Sequence, residues 1–410
     1  MVRDFDALTD TTRRDYLKGG SGLLVGGLLA GCSSGNDSTA TTTTDTTTSD
    51  TTDETTQGTT VAEFPYTVSM APMGDVEFEK VPETIFTRLT HLAGMAFALG
   101  RGNDVNAMHA PGYYDALWNQ FTPRLPGVEL DWTGLYSSWN VTKEKLYSLD
   151  SDIHLADPAS VLALDSWDMA DIEEIATNIS PWFGNHYSHR HTEPPEAYAD
   201  SYEYYTLWEQ FEKVAQVFRD EAKYEALEAV HDDVIDTIET DLPAEADRPS
   251  IVMGGFTDPS APYVYNVDTP GFLTAHVRPF EPVDAFGDDV QSGSRVDMEA
   301  LAEADPDIIL IFGGLHPTYD MAEIRTTLKD DPVAQTITAV ENDRIYPQGG
   351  RYQGPILNLF QLEMTAKQLY PDQFGEWPEY TDGAYPELPE SEQFFDRQHV
   401  ADVITGDFES

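Results

Sequence analysis

The chain of 410 residues has a single cysteine, Cys32. One thiol allows no intrachain disulfide and no thiolate metal cluster. Basic residues are scarce as well: 23 Lys and Arg stand against 73 Asp and Glu, for a formal charge of −50 at pH 7. Such a surface repels nucleic acid and anionic lipid, so neither is expected as a partner. H-E-x-x-H, G-x-S-x-G and G-x-x-x-x-G-K-[ST] are all missing. That removes the usual signatures of zinc peptidases, α/β-hydrolases and P-loop ATPases. Long apolar runs are missing too, apart from GGSGLLVGGLLAG at residues 19–31. As a helix that run is about 20 Å long, short of the ~30 Å hydrocarbon core, so it reads as a signal segment rather than a span.

The N-terminal residues supply an address. Arg13 and Arg14 sit in TRRDYLK, a twin-arginine export pattern, and the apolar run ends in Leu29-Ala30-Gly31-Cys32, which resembles a lipobox. Residues 1–31 are therefore expected to be a signal peptide, with Cys32 lipidated and the lipid as the only membrane attachment, on the outer face of the cell membrane. Residues 32–62 are rich in Ser, Thr and Asp and poor in apolar residues. They cannot bury a core and are expected to form a tether, open to glycosylation. The rest is too long for one core and suits two lobes. The expected division is an N-terminal lobe at 63–200, bridging helices at 201–241 and a C-terminal lobe at 242–410.

Within this body, short apolar runs alternate with helical patterns, as in α/β layers around parallel sheets. Strands are expected at Ile85–Leu89, Ile153–Ala156, Ser250–Met253 and Ile308–Phe312, and after the turn that opens NDRIY at Asn342. Helices are expected through Leu92–Leu99, closed by Gly100, and around Ile172–Ala176. The segment from Glu203 to Thr240 is helical in pattern, with apolar stripes Leu207, Phe211, Val214, Phe218 and Leu227, Val230, Val234, Ile238. A break near Arg219–Glu221 should divide it, leaving a second helix of about 20 residues and ~30 Å.

One unit is written twice. VTKEKLYSLDSDI from Val141 and VDMEALAEADPDI from Val296 share V-x-x-E-x-L-x-x-x-D-x-D-I. Each predicts a two-turn helix capped by Thr142 or Asp297, an Asp-x-Asp stop and then a strand. Glu144 and Glu299 fall at the second helical position of the two copies. A carboxylate there gains from the helix dipole, so the pattern alone leaves structural repetition and a functional pair both open.

The chain from about Glu63 resembles the helical-backbone substrate-binding proteins of ABC importers for ferric siderophores, cobalamin and haem. The resemblance rests on Pro82-Glu83-Thr84-Ile85, Ala98-Leu99-Gly100, the bridging helices, MEALAEADPDIIL, NDRIY and the closing FFDRQHVADVITGDF. The charge balance, the export signal and the excess of arginine over lysine together resemble a lipoprotein of a salt-loving archaeon. The resemblance implies two Rossmann-like lobes with parallel sheets joined by a long helix and a ligand cleft between them. It further implies no enzymatic activity, no cofactor, a metal chelate as cargo, and an ABC permease with its ATPase subunits as partners, the receptor acting as a monomer. In that family a glutamate of each lobe docks on permease arginines; the matching positions are Glu144 and Glu299.

Ligands of two-lobed α/β proteins bind at the carboxyl ends of strands. The residues following the expected strands are Arg88, His91, His109, Tyr113 and Trp139, then Trp182, Phe183, His186 and Arg190 in SPWFGNHYSHRH. The second half offers Phe256, Tyr265, Arg278, His316, Arg351 and Tyr352. Aromatic walls with a few arginines suit a large anionic ferric chelate. Cobalamin and haem would use the same scaffold. His186, His189 and His191 also leave open a bare-metal site, and with it a metal-dependent hydrolase.

Overall fold

A computed structural model describes residues 64–408. The expected signal segment, Cys32 and the whole of the expected tether lie outside these residues. The described chain opens with a hairpin that the sequence reading did not anticipate, Tyr66–Met70 (β1) and Gly74–Phe78 (β2). Its alternation is plain in hindsight: Val68, Met70, Val76 and Phe78 are buried while Thr67, Ser69 and Glu77 face solvent.

The first lobe is built on four short parallel strands in the order β5-β4-β3-β6: Ile85–Thr87 (β3), Val105–Met108 (β4), Tyr136–Ser137 (β5) and Ile153–Leu155 (β6). β3 leads into helix α1 (Thr90–Ala98), closed at Gly100 with φ +78° as expected, and β4 leads into α2 (Pro111–Trp118). Further helices of this lobe are α3 (Lys143–Leu149) and α4 (Met169–Asn178).

The bridge divides where expected. α5 (Leu207–Phe218) ends at Arg219, which takes the left-handed conformation, and α6 runs for 21 residues from Glu221 to Asp241. Thr206 and Glu209 form a reciprocal capping box at the start of α5. The first stripe is wholly buried, and of the second only Val230 is partly open.

The second lobe is a mixed sheet rather than a parallel one. β7 (Ser250–Gly255), β11 (Ile308–Ile311) and β12 (Ile345–Pro347) are parallel, but β8 (Tyr263–Tyr265) turns back antiparallel along β7, and β10 (Ser294–Arg295) along β8. The short β9 (Val283–Asp284) adds to β7. Gly254 permits the turned-back strand, because a Cβ there would lie 2.2 Å from the Tyr263 carbonyl oxygen.

The doubled unit is a structural repeat. α3 and α7 (Met298–Ala304) are capped by Thr142 and Asp297, which accept the Lys145 and Ala300 N–H groups. Both helices end on an aspartate in the left-handed region, Asp150 (φ 47°) and Asp305 (φ 43°). The next aspartate pins the neighbouring strand. Asp152 accepts the Glu83 and Thr84 N–H groups at 3.0 and 3.1 Å, and Asp307 accepts that of Ser250 at 2.8 Å. Each copy therefore sets the start of β3 beside β6, or of β7 beside β11.

The lobes share one continuous core through the bridge and α8 (Pro355–Leu369), in which every residue is buried. α8 starts against α1 so closely that a Cβ on Gly354 would stand 2.7 Å from the Gly94 Cα. That contact fixes the two lobes tightly at one end of their seam.

Candidate functional site

The loops at the carboxyl ends of the parallel strands converge on the seam between the lobes. From the first lobe come Arg88 and His91 after β3, His109 and Tyr113 after β4, Trp139 after β5 and the 186–191 loop. From the second come His316 and Tyr319 after β11 and Arg351 and Tyr352 after β12, joined by Tyr265 at the end of the antiparallel β8 and by Phe272 and His276 beyond it.

Rings of opposite lobes meet directly. Tyr113 stacks on His316 with centroids 3.9 Å apart, and His91 stacks on Phe272 at 4.4 Å. Tyr352 lies 5.9 Å from His186 and 6.2 Å from His91, and its carbonyl accepts the Thr90 hydroxyl at 3.0 Å. His191 reaches Ser292 of the second lobe through Nδ1.

The charges here are unusual for so acidic a protein. Arg88 is 6% exposed and donates weakly to Ser160 Oγ and the Trp139 carbonyl, leaving Nε without a partner among the described residues. Arg351 donates to the Tyr265 hydroxyl, and its guanidinium lies 5.0 Å from the Tyr352 ring. Among the described residues neither arginine hydrogen-bonds or ion-pairs with a carboxylate. Burial favours loss of the Arg88 proton, while the neighbouring Tyr187, Tyr352 and Asp157 favour its charge.

The histidines are held neutral. Burial lowers His91 to about 3, and burial with the Arg88 and Arg351 charges does the same to His109. Burial first, then neighbouring charge, lowers His189 and His276 to about 3 and His191 to about 4. Burial takes His316 to about 4 and is the largest influence pushing His186 well down. His316 Nδ1 accepts the Thr318 N–H at 3.0 Å, and Gln353 Nε2 meets His276 Nδ1 at 2.9 Å. Nε2 of each then carries the proton, and that of His276 lacks a partner among the described residues. His91, His109 Nδ1, His186 Nδ1 and His191 Nε2 are also buried without a full hydrogen bond. These polar atoms gather in one seam, although buried groups ordinarily have partners.

The structure gathers Arg88, His91, His109, Tyr113, Trp139, His186, His189, His191, Tyr265, His316, Arg351 and Tyr352 at or beside this seam. It places five of the sequence candidates elsewhere. Trp182 is core of the first lobe, donating to the Ile172 carbonyl at 3.1 Å beside Trp167 and His154. Phe183 packs on Phe78, and Phe256 is core near Gly254. Arg278 spends its guanidinium on the Thr269 and Gly271 carbonyls and the Thr274 hydroxyl. Arg190 is exposed with its guanidinium 3.8 Å from the Tyr204 ring. Position after a strand does not tell a lining side chain from one turned into the lobe. Among the described residues, no three His, Cys, Asp or Glu side chains converge as metal ligands would.

Sequence reasoning missed the supports. Asp157 is buried, caps a short helix at Ala159, holds the His186 N–H at 2.7 Å and accepts the Tyr202 hydroxyl; burial raises its carboxyl to about 6. Gln353 donates to the Phe272 carbonyl at 2.9 Å and accepts from Asn358 and Gln361, and Asn358 in turn accepts Trp208 Nε1 of α5 at 3.1 Å. A polar chain thus runs from the bridge to the seam. Asp157-Pro158 directly after β6 was the available signal for the first; Gln353 in its Gly-rich loop offered none.

No curated protein matches the chain in sequence. Solved structures do match in fold. A periplasmic binding protein from Veillonella parvula superposes with TM-score 0.53 at 13% identity, covering 79% of this chain and 98% of its own. An ABC-type Fe3+-hydroxamate transport protein from Saccharomonospora viridis gives 0.50 at 20% identity, covering 75% and 99%. Helicobacter pylori CeuE with Ni(II) bound gives 0.51 at 12% identity, covering 75% and 90%. The profile of the periplasmic binding protein family matches residues 155–351, which run from the end of β6 through the seam to Arg351. That match and the two-lobed fold make the chain similar to periplasmic binding proteins over the matched residues.

Proposed function

We propose that this protein is a lipid-anchored receptor that captures a ferric-siderophore-type chelate in the seam and delivers it to an ABC permease and its ATPase subunits. The observation that carries the reading is the pairing of Arg88 and Arg351, without carboxylate partners among the described residues, with a wall of rings bearing unsatisfied imidazole nitrogens. The rings supply contact area, and the guanidinium groups suit carboxylate or metal-bound oxygen on an anionic cargo. Neighbours described as a Fe3+-hydroxamate transport protein and a Ni(II)-bound protein support the same class.

Capture needs a small opening of the seam at Tyr113–His316 and His91–Phe272, with α6 and the Gly94–Gly354 contact restraining larger motion. Delivery uses Glu144 and Glu299, both exposed at the second position of equivalent helices. At 1 M salt the screening length is about 3 Å, so docking would depend on close, bidentate contact with arginines rather than long-range attraction. Export by the twin-arginine route and lipidation at Cys32 complete the reading. The test is a titration of the chain in high salt with ferric hydroxamate, ferric catecholate, cyanocobalamin, haemin and bare Fe³⁺. Saturable binding of one ferric chelate supports it; binding of bare metal alone would replace it with a metal site.

A further inference from the structure

The chain carries three N-x-[ST] sequences: Asn36-Asp37-Ser38, outside the described residues, Asn140-Val141-Thr142 and Asn178-Ile179-Ser180. On a chain facing the cell exterior each is a potential acceptor for N-linked sugar. The structure separates the last two.

Asn140 lies in an exposed turn between β5 and α3, and its side-chain amide makes no hydrogen bond among the described residues. Thr142 is exposed, and its Oγ1 only accepts the Lys145 N–H at 3.4 Å, so its own hydroxyl proton is uncommitted. Asn178 is exposed too, but its amide donates to the Glu174 carbonyl at 2.9 Å within the last turn of α4. The third residue of that sequence is sequestered: Ser180 is 6% exposed, with Oγ 3.1 Å from the buried His154 Nδ1. An enzyme acting on the folded chain could grasp both ends of the first sequence and neither end of the second without unwinding α4 and opening the core.

We infer that Asn140 is an N-glycosylation site of the folded protein and that Asn178 is not. The co-substrate is an oligosaccharide carried on a lipid phosphate. Asn140 Nδ2 attacks the anomeric carbon, a C–N bond forms, the C–O bond to phosphate breaks with its electron pair going to the departing lipid phosphate, and one amide proton passes to a base. The site also distinguishes the two copies of the repeated unit. The residue equivalent to Asn140 is Arg295, whose guanidinium lies 4.3 Å from the Tyr263 ring. A glycan would therefore stand on one copy only, next to Trp139 at the seam and four residues ahead of Glu144.

The inference rests on the outward-facing location in the proposed function but not on the cargo, so a failed chelate titration leaves it standing. The experiment is peptide mapping by mass spectrometry of the full chain, purified from the membranes of the cell that exports it, with Asn140→Gln and Asn178→Gln alongside. The expected result is an Asn140 peptide heavier by an oligosaccharide, an Asn178 peptide at its unmodified mass, and loss of that added mass in N140Q but not N178Q. N140Q leaves the Thr142 cap intact, so it should fold and bind cargo as the parent does. An unmodified Asn140 peptide, or sugar on Asn178, overturns the inference.

Discussion

Tyr113, on the first turn of α2, and His316, in the loop after β11, stack with ring centroids 3.9 Å apart and planes 14° from parallel. The two residues belong to different lobes, so this contact closes the seam. The fit is tight, since a Cβ added at Gly313 would stand 2.6 Å from the Tyr113 hydroxyl.

Ring pairs of this kind are worth about 0.5–1.5 kcal/mol beyond the area they bury. A double-mutant cycle of Tyr113→Ala and His316→Ala, read by urea unfolding in high salt, should show a coupling in that range. Additive effects within about 0.3 kcal/mol would mean that the stack holds nothing together.

The seam histidines predict an acid limit. His91, His109, His189, His191, His276 and His316 are lowered to about 3 or 4, against about 6.5 in the unfolded chain. A depressed group contributes stability that is full above its unfolded value and lost as pH falls toward the folded one. Asp157, raised to about 6, has the opposite sign and gains on acidification between 6 and its ordinary range. One carboxyl offsets one histidine, so the sum favours loss. Stability should be level above about pH 7 and fall below pH 6, by about 1.4 kcal/mol per pH unit for each net proton taken up on unfolding. Equal melting temperatures at pH 8 and pH 5 would contradict it.

The doubled unit separates two roles by mutation. Asp152→Ala or Asp307→Ala removes the acceptor of exposed or half-buried backbone N–H groups and should cost about 0.5–1.5 kcal/mol of stability. Glu144→Ala and Glu299→Ala remove exposed carboxylates. They should cost no more than about 1 kcal/mol of stability each through the helix dipole and leave chelate affinity unchanged while reducing ATPase stimulation in proteoliposomes carrying the permease. Normal stimulation by the double glutamate variant would remove the docking role.

Arg351→Gln should weaken binding of an anionic ferric chelate at least tenfold, about 1.4 kcal/mol. Arg190→Gln should not change it, because that guanidinium is spent on Tyr204 at the exposed surface. Equal losses in the two variants, measured by calorimetric titration, would place the cargo somewhere other than the seam.

Much of this architecture was legible because it is written in local chemistry. The caps at Thr142 and Asp297, the division at Arg219 and the apolar strand runs each carry their own signal. The antiparallel β8 was not, because its direction follows from the space that Gly254 leaves beside Tyr263. Within the site, Arg88 and Arg351 could be found by their place after strands. That same rule also selected Trp182 and Phe256, since it ranks a loop without knowing which way a ring turns. Asp157 and Gln353 act by holding other residues, and such roles exist only in three dimensions.

The most direct test of the central claim is tryptophan fluorescence of the wild-type chain and Arg88→Gln/Arg351→Gln during titration with ferric hydroxamate and catecholate chelates in high salt. Trp139 reports on the seam, lying 4.5 Å from His109 and 5.1 Å from the Arg88 guanidinium. The account predicts saturable quenching by one ferric chelate, lost in the double variant and absent with the iron-free chelator. No quenching by any chelate, or quenching that survives removal of both arginines, would contradict it.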